Sequence, residues 1–387
     1  MTWLDLTLAV VGLTGVLLAL VSEPMQRRLP VTEPLVALGL GVLAGPAVLG
    51  LVTVEAHLRD QLLLEGSRVL LAASVMAAAL RYPASSLTGL SALALGLPAA
   101  LALLFGACLA PTDPVLAASV VTGGPAERTL AERVRAILTI ESGANDGLGL
   151  VLVGLCVAAV LPAQGIGHAL GLVAWDVLAG VAIGAALGWL AGWGLRWAVE
   201  HHDLGEGPEL VYTLLLALGV LGVARLADTG GVLAVFVAGL VYSRIVPGAP
   251  RRQQVAVDEG INRYAVIPLF LLLGAVLPWA AWRDLGWMGV LFVLGVLVLR
   301  RPPALLALAR PLGVTVPQAG FMGWFGPMGV SALFYLAHAR HEGVQDPTLF
   351  AAVTLAVTVS VVVFGLTASP GRRLYAARHG SDTAPTG

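Results

Sequence analysis

The chain has 387 residues, of which 58% are hydrophobic and 12% charged, with a formal net charge of −1 and a mean hydropathy of +0.89. An apolar share that far above the roughly 45–50% of soluble domains excludes an ordinary water-soluble fold. Its 22 basic residues, all arginine, are matched by 23 acidic ones, so there is no basic patch for phosphates and a nucleic-acid partner is excluded as well.

Twelve apolar runs of membrane-spanning length predict an all-α polytopic membrane protein, since a helix rising 1.5 Å per residue needs about 20 apolar residues to cross a bilayer. In chain order they are 3–21, 34–54, 62–80, 87–122, 133–160, 169–197, 209–226, 229–246, 260–278, 285–309, 317–340 and 347–368. The first is read as a retained helix rather than a signal peptide. Met1-Thr2-Trp3-Leu4-Asp5 offers no basic n-region, and no small-residue cleavage site precedes Ser22-Glu23-Pro24. The run 87–122 is too long for one simple crossing, which leaves the count at 12 or 13. Residues 1–370 form one transmembrane unit on this reading, and 371–387 a short disordered tail. Cys108 and Cys156 lie inside apolar runs and give neither a disulfide framework nor a metal-ligand spacing.

Arginines cluster in the 123–135 loop, the 244–263 loop and the C-terminal tail. The positive-inside rule makes these segments cytoplasmic, the C-terminus included. Twelve crossings would then put the N-terminus inside too and turn Arg27 and Arg28 outward. That conflict points to a change of parity near 87–122 and leaves the N-terminal orientation open.

Charge is rarest where it costs most. Between Tyr82 and Ala126 the sole charged residue is Asp113, and between Arg135 and Asp176 only Glu141 and Asp146 carry charge. A charge at the centre of a membrane helix costs at least about 2.5–3.5 kcal/mol, so these carboxylates demand a function or a partner. Asp176, beside Trp175 at the start of its run, reads instead as interfacial.

In "APTDPV", Pro111 and Pro114 bracket Thr112 and Asp113. Proline removes a backbone donor and clashes with the preceding turn, so the helix should unwind there and expose carbonyls and helix ends. A plain proline kink is the simpler alternative, but interrupted helices are how many secondary transporters build ion sites at the midplane. Seven runs later, "PQAGFMGWFGPMGVSALFY" repeats the device around 323–329 with Gly323, Gly326, Pro327 and Gly329. The odd offset makes the two interrupted helices run in opposite directions, the pattern of an inverted repeat.

On the 133–160 helix, Ser142 and Asp146 are four residues apart and share a face. They are placed to look at the Thr112-Asp113 break while Glu141 turns towards another helix. Carboxylate, hydroxyl and carbonyl oxygens of this kind suit a hard cation. In "LVLRRPPALLA", Arg300 and Arg301 lie deep in the tenth run. They either snorkel to the interface or compensate a buried carboxylate, with Glu141 a candidate mate.

"APTDPVLAASVVTG" followed by "ESGANDG" resembles the cation:proton antiporter superfamily in its NhaP and sodium–proton exchanger branch. "RRPPAL", "NRYAVIPLFLLLGAVLPW" and "GWFGPMGVSALFYL" resemble further stretches of that branch. The resemblance implies an inverted-repeat antiporter fold, assembled as a homodimer in the cell membrane. It implies that Asp146 binds either the cation or the proton, with Thr112, Asp113, Ser142 and Glu141 completing or shaping the site. A sodium ion would then sit among Asp146, Asp113, Ser142 and Thr112. Asn145 would hold the unwound segment and Arg301 would pair with Glu141. No cofactor is implied. Two departures stand out: Met328 replaces an arginine usual in the Gly-rich interrupted helix, and the stretch from Arg81 to Asp113 is about one helix short.

The expected activity is exchange of Na+, or Li+ or K+, for H+, with no enzymatic step. A buried carboxylate holds a proton or a metal ion but disfavours both together, and that competition couples the two fluxes. Electroneutrality is an implication of the Asn145-Asp146 pair through the resemblance. Two rivals are a non-transporting or transport-impaired homologue acting as sensor or scaffold, and an intramembrane aspartyl protease using Asp113 and Asp146. "GANDG" is only a near miss to the protease signature.

Overall fold

At membrane depth no water is available to backbone N–H and C=O groups, and helices satisfy them internally. The computed structural model describes residues 9–18, 31–79, 99–113, 116–117, 130–161, 166–201, 206–229, 231–246 and 264–379, helical but for turns and short extended stretches. The helices are α1 (Ala9–Leu18), α2 (Glu33–Ala44), α3 (Ala56–Ala79), α4 (Ala99–Leu109), α5 (Glu132–Val160), α6 (Ile166–His201) and α7 (Glu206–Leu226). There follow α8 (Val232–Ile245), α9 (Ile267–Ala275), α10 (Trp279–Leu299), α11 (Pro302–Ala307), α12 (Val316–Trp324), α13 (Val330–His341) and α14 (Pro347–His379).

Two faces of the bundle are fixed by side-chain contacts. On face 1, Arg59 near the start of α3 lies 4.5 Å over the Phe350 ring at the start of α14. Arg340, near the end of α13, pairs there with Asp60 at 2.9 Å. Trp282 of α10 donates to Ala351 O at 3.0 Å on the same side, and Leu161 at the end of α5 lies against Gly343. On face 2, Arg133 of α5 donates to Leu312 O at 3.0 and 2.8 Å. Leu130, Phe321, Phe325 and Tyr375 cluster beside it. Thr32, which precedes α2, packs against Gly365 in the half of α14 nearer face 2.

α4 runs beside α10, with Phe105 and Phe292 rings 6.1 Å apart and Arg300 bonded to Leu109 O. α3 and α4 therefore both start from face 1. Whether 87–122 holds one crossing or two falls on 80–98, outside the described residues.

The tightest helix packing uses glycine. Gly184 and Gly188 of α6 lie so close to Ala234 O and Ala238 O of α8 that any side chain would overlap them, and Gly41 meets Leu271 of α9 in the same way. Without a hydrophobic drive between helices in lipid, such close backbone approach supplies the attraction.

Three element bounds differ from the sequence expectation. The second run, read as 34–54, ends as helix at Ala44, where Gly45 and Pro46 lead into a turn with Gly50 at φ +63°. The tenth run is divided at Arg300-Arg301, while the eleventh is interrupted at 325–329, inside the 323–329 stretch read as a break. The expected disordered tail from 371 is helical as far as His379, because α14 continues through Pro370. Tyr375 packs 5.0 Å from the Phe321 ring there, and Gly371 lies against Phe325, so packing offsets the donor that proline lacks.

Candidate cation and proton site

The first interruption follows α4, where 110–113 leave the helix. Helical bonding resumes at once, with Ala117 N–H donating to Asp113 O at 2.9 Å. The second interruption separates α12 from α13. The two breaks are joined through Asp113: its N–H donates to Pro327 O at 2.8 Å, and its carboxylate accepts from Val330 N–H at 2.6 Å. A carboxylate on the first N–H of a helix satisfies an orphan donor and favours the helix dipole. Gly329 is needed beside it, since a Cβ there would overlap Asp113 Oδ2.

The opposite ends of these half-helices expose carbonyls, and Arg300 collects them. Its guanidinium donates to Leu109 O at 2.7 Å and Pro111 O at 3.0 Å, and to Gly326 O across the site. One cation thus serves the negative ends of both α4 and α12, which meet from opposite faces. The neighbouring Arg301 forms an ion pair with Glu141 and donates to Phe325 O at 2.9 Å. Arg301 is buried and Glu141 mostly so, with side-chain exposures of 6% and 13%.

Between these anchors lie the oxygens. Thr112, Asp113, Ser142 and Asp146 are all buried, at 1%, 0%, 1% and 0% exposure. Ser142 Oγ donates to Leu138 O at 2.9 Å and lies 3.3 Å from Thr112 Oγ1. Both carboxylate oxygens of Asp146 are buried without a hydrogen-bond partner. The backbone carbonyl of Asp146 accepts from Tyr335 Oη at 2.7 Å. Gly149 makes room for that contact: a Cβ there would stand 2.7 Å from Tyr335 Oη and 2.9 Å from Pro111. Asn145 is on α5, but its side chain, like Pro114, lies outside the described residues. Tyr335 and Ser331, the latter with a buried unpartnered hydroxyl, were not singled out by the sequence. Their residue types carry no cost at membrane depth comparable to a charge, and so give little signal.

A cavity of about 410 Å³ descends from face 1 along α5, lined from Leu161 down to Leu150 and including Arg68, Asp176, Phe334 and His338. Leu150 is one helical turn from Asp146. The cavity therefore approaches the site from face 1, with Leu150 and Phe334, both nearly fully buried, at its deep end.

An interrupted helix at 325–329 meeting the break at 110–113 around the buried Asp146 carboxylate is the arrangement of interrupted-helix membrane transporters. The transmembrane sodium/hydrogen exchanger family matches residues 62–371. The chain belongs to that family, whose members are secondary transporters and not enzymes. Among curated relatives, Na(+)/H(+) antiporter 2 of Zygosaccharomyces rouxii is 30% identical over 84% of this chain and 44% of its own length. The K(+)/H(+) antiporter NhaP2 of Shewanella sp. (strain ANA-3) is 27% identical over 94% of this chain and 66% of its own length. The chain spans less than half the length of the Zygosaccharomyces rouxii and Saccharomyces cerevisiae antiporters it matches. The solved sodium proton antiporter MjNhaP1 of Methanocaldococcus jannaschii at pH 8 superposes with a TM-score of 0.70. It is 20% identical and covers 97% of this chain and 99% of the solved one, so the two share a fold.

Proposed function

We propose that this protein exchanges a monovalent cation for a proton across the cell membrane, with both ligands competing for Asp146. The observation that carries the reading is the Asp146 carboxylate, 0% exposed with neither oxygen hydrogen-bonded. A bare buried carboxylate is costly unless neutralised, and either a proton or a cation neutralises it. Thr112 and Ser142 supply hydroxyl oxygens beside it. Asp113 spends one carboxylate oxygen on the α13 terminus, which supports a shaping role more than a full share in the ligand shell and weakens the protease alternative.

Glu141 and Arg301 neutralise one another and Asp113 is committed to Val330 N–H, which supports Asp146 as the exchanging charge. One carboxylate traded between one proton and one monovalent cation is electroneutral. Names of the relatives support Na+ and K+ as candidate cargo. Placing face 2 in the cytoplasm puts Arg133, Arg135, Arg372 and Arg373 inside. The chain enters α2 from that face as well, which supports a cytoplasmic C-terminus. A homodimer in the bilayer belongs to this reading on the strength of the family resemblance.

The test is uptake of radioactive sodium into proteoliposomes with an acidic lumen. Wild type is expected to accumulate sodium at a rate unaffected by an imposed membrane potential. No gradient-driven uptake of Na+, Li+ or K+ would overturn the proposal, and a rate that follows the potential would overturn its electroneutral form.

A further inference from the structure

Ser331 stands in the first turn of α13, one residue after the N–H that Asp113 holds. It is 1% exposed, and its hydroxyl, like both Asp146 oxygens, is buried without a hydrogen-bond partner. Tyr335, four residues on and on the same face of α13, donates to Asp146 O at 2.7 Å, which sets Ser331 beside Asp146, where the two side chains interact. Buried hydroxyls without a partner are uncommon. A buried hydroxyl beside a buried carboxylate, each with lone pairs to spare, offers oxygen ligands to a cation.

The electrostatics agree. The start of a helix repels a cation, but the Asp113 carboxylate sits on Val330 N–H at 2.6 Å and offsets that field. Ser331 Oγ can then face a positive ion at the head of α13.

We propose that Ser331 is a ligand of the transported cation. With a cation loaded, Ser331 Oγ adds an oxygen from the second interrupted helix to those of Asp146, Ser142 and Thr112. With a proton loaded, the same hydroxyl accepts the hydrogen bond of the neutral Asp146 carboxyl. The cation shell is complete only when both interrupted helices are in place, and all its ligands are hard oxygens suited to an alkali ion. The inference rests on the assignment of Asp146 as the exchange site.

Ser331→Ala and Ser331→Cys in the full chain, reconstituted in proteoliposomes, test it against wild type and Asp146→Ala. Ser331→Ala is expected to raise the apparent KM for Na+ about tenfold, as loss of one charge-directed contact would. Protection of the detergent-solubilised protein against thermal unfolding by Na+ should need correspondingly more salt. Ser331→Cys preserves volume while replacing a hard oxygen with a soft sulfur, so Na+ should weaken and Tl+ be relatively spared. If the alanine variant does not assemble, the cysteine variant decides the matter alone. A Na+ KM within twofold of wild type in whichever variant assembles, with exchange lost in Asp146→Ala, overturns the role of Ser331 alone. Exchange persisting in Asp146→Ala overturns the assignment of the site itself.

Discussion

Arg301→Ala is expected to destabilise the protein by about 3–5 kcal/mol, the cost of leaving one member of a buried ion pair without its mate. Arg301 stands where the chain leaves α10, with φ −130° and Pro302-Pro303 opening α11 behind it. That bend aims the guanidinium at Glu141 and at Phe325 O, 2.9 Å away at the end of α12. Gly326 is part of the arrangement, because a Cβ there would overlap the Arg301 side chain. Removing the arginine strands the Glu141 charge and uncovers a helix-end carbonyl in the same step. Thermal unfolding in detergent should show a large loss for Arg301→Ala and a smaller one for Glu141→Gln with Arg301→Ala, which leaves no bare charge. Equal losses in the single and double variants would mean that the stranded Glu141 charge costs nothing in the single variant.

Met328→Arg is the second large effect, and its sign is the informative part. The family resemblance makes this substitution look like a repair. Met328 is 0% exposed, in an apolar cluster with Leu116 and Phe334, and its N–H already donates to Ser360 Oγ at 2.8 Å. The negative helix ends that a cation would serve are held by Arg300, which reaches α4 and α12 together. An added arginine therefore brings a charge worth about 2.5–3.5 kcal/mol of insertion cost into a site already supplied. Exchange by Met328→Arg should fall at least tenfold, while the same substitution should partly restore an Arg300→Ala protein. Faster exchange than wild type in Met328→Arg alone would show that the natural chain lacks a charge it needs.

The site was legible where membrane physics makes residues expensive. Asp113, Glu141 and Asp146 stand out in 12% charged sequence, and proline and glycine mark both interruptions. Helical spacing put Ser142 and Asp146 on one face, and their neighbour across the break is Thr112. What was not legible came from three sources. Ser331 and Tyr335 are of types that carry little burial penalty, so only their three-dimensional neighbours distinguish them. Arg300 offered two readings from sequence, snorkelling or compensation, and the carbonyl ends it binds come from segments about 190 and 26 residues distant. Hydropathy continues past Ala44 through Val48, Leu49 and Leu51, hiding the end of α2 at Gly45. In the tail, the helix to His379 depends on Phe321 and Phe325 some 50 residues earlier, a contact that local composition does not encode.

The coupling itself is most directly tested by the apparent KM for Na+ as a function of pH in proteoliposomes. If cation and proton compete for Asp146, the KM should rise towards tenfold per unit as pH falls through the protonation range, with the maximal rate unchanged. Asp146→Asn should remove exchange altogether. A KM independent of pH, or exchange retained in Asp146→Asn, would contradict competition at that carboxylate.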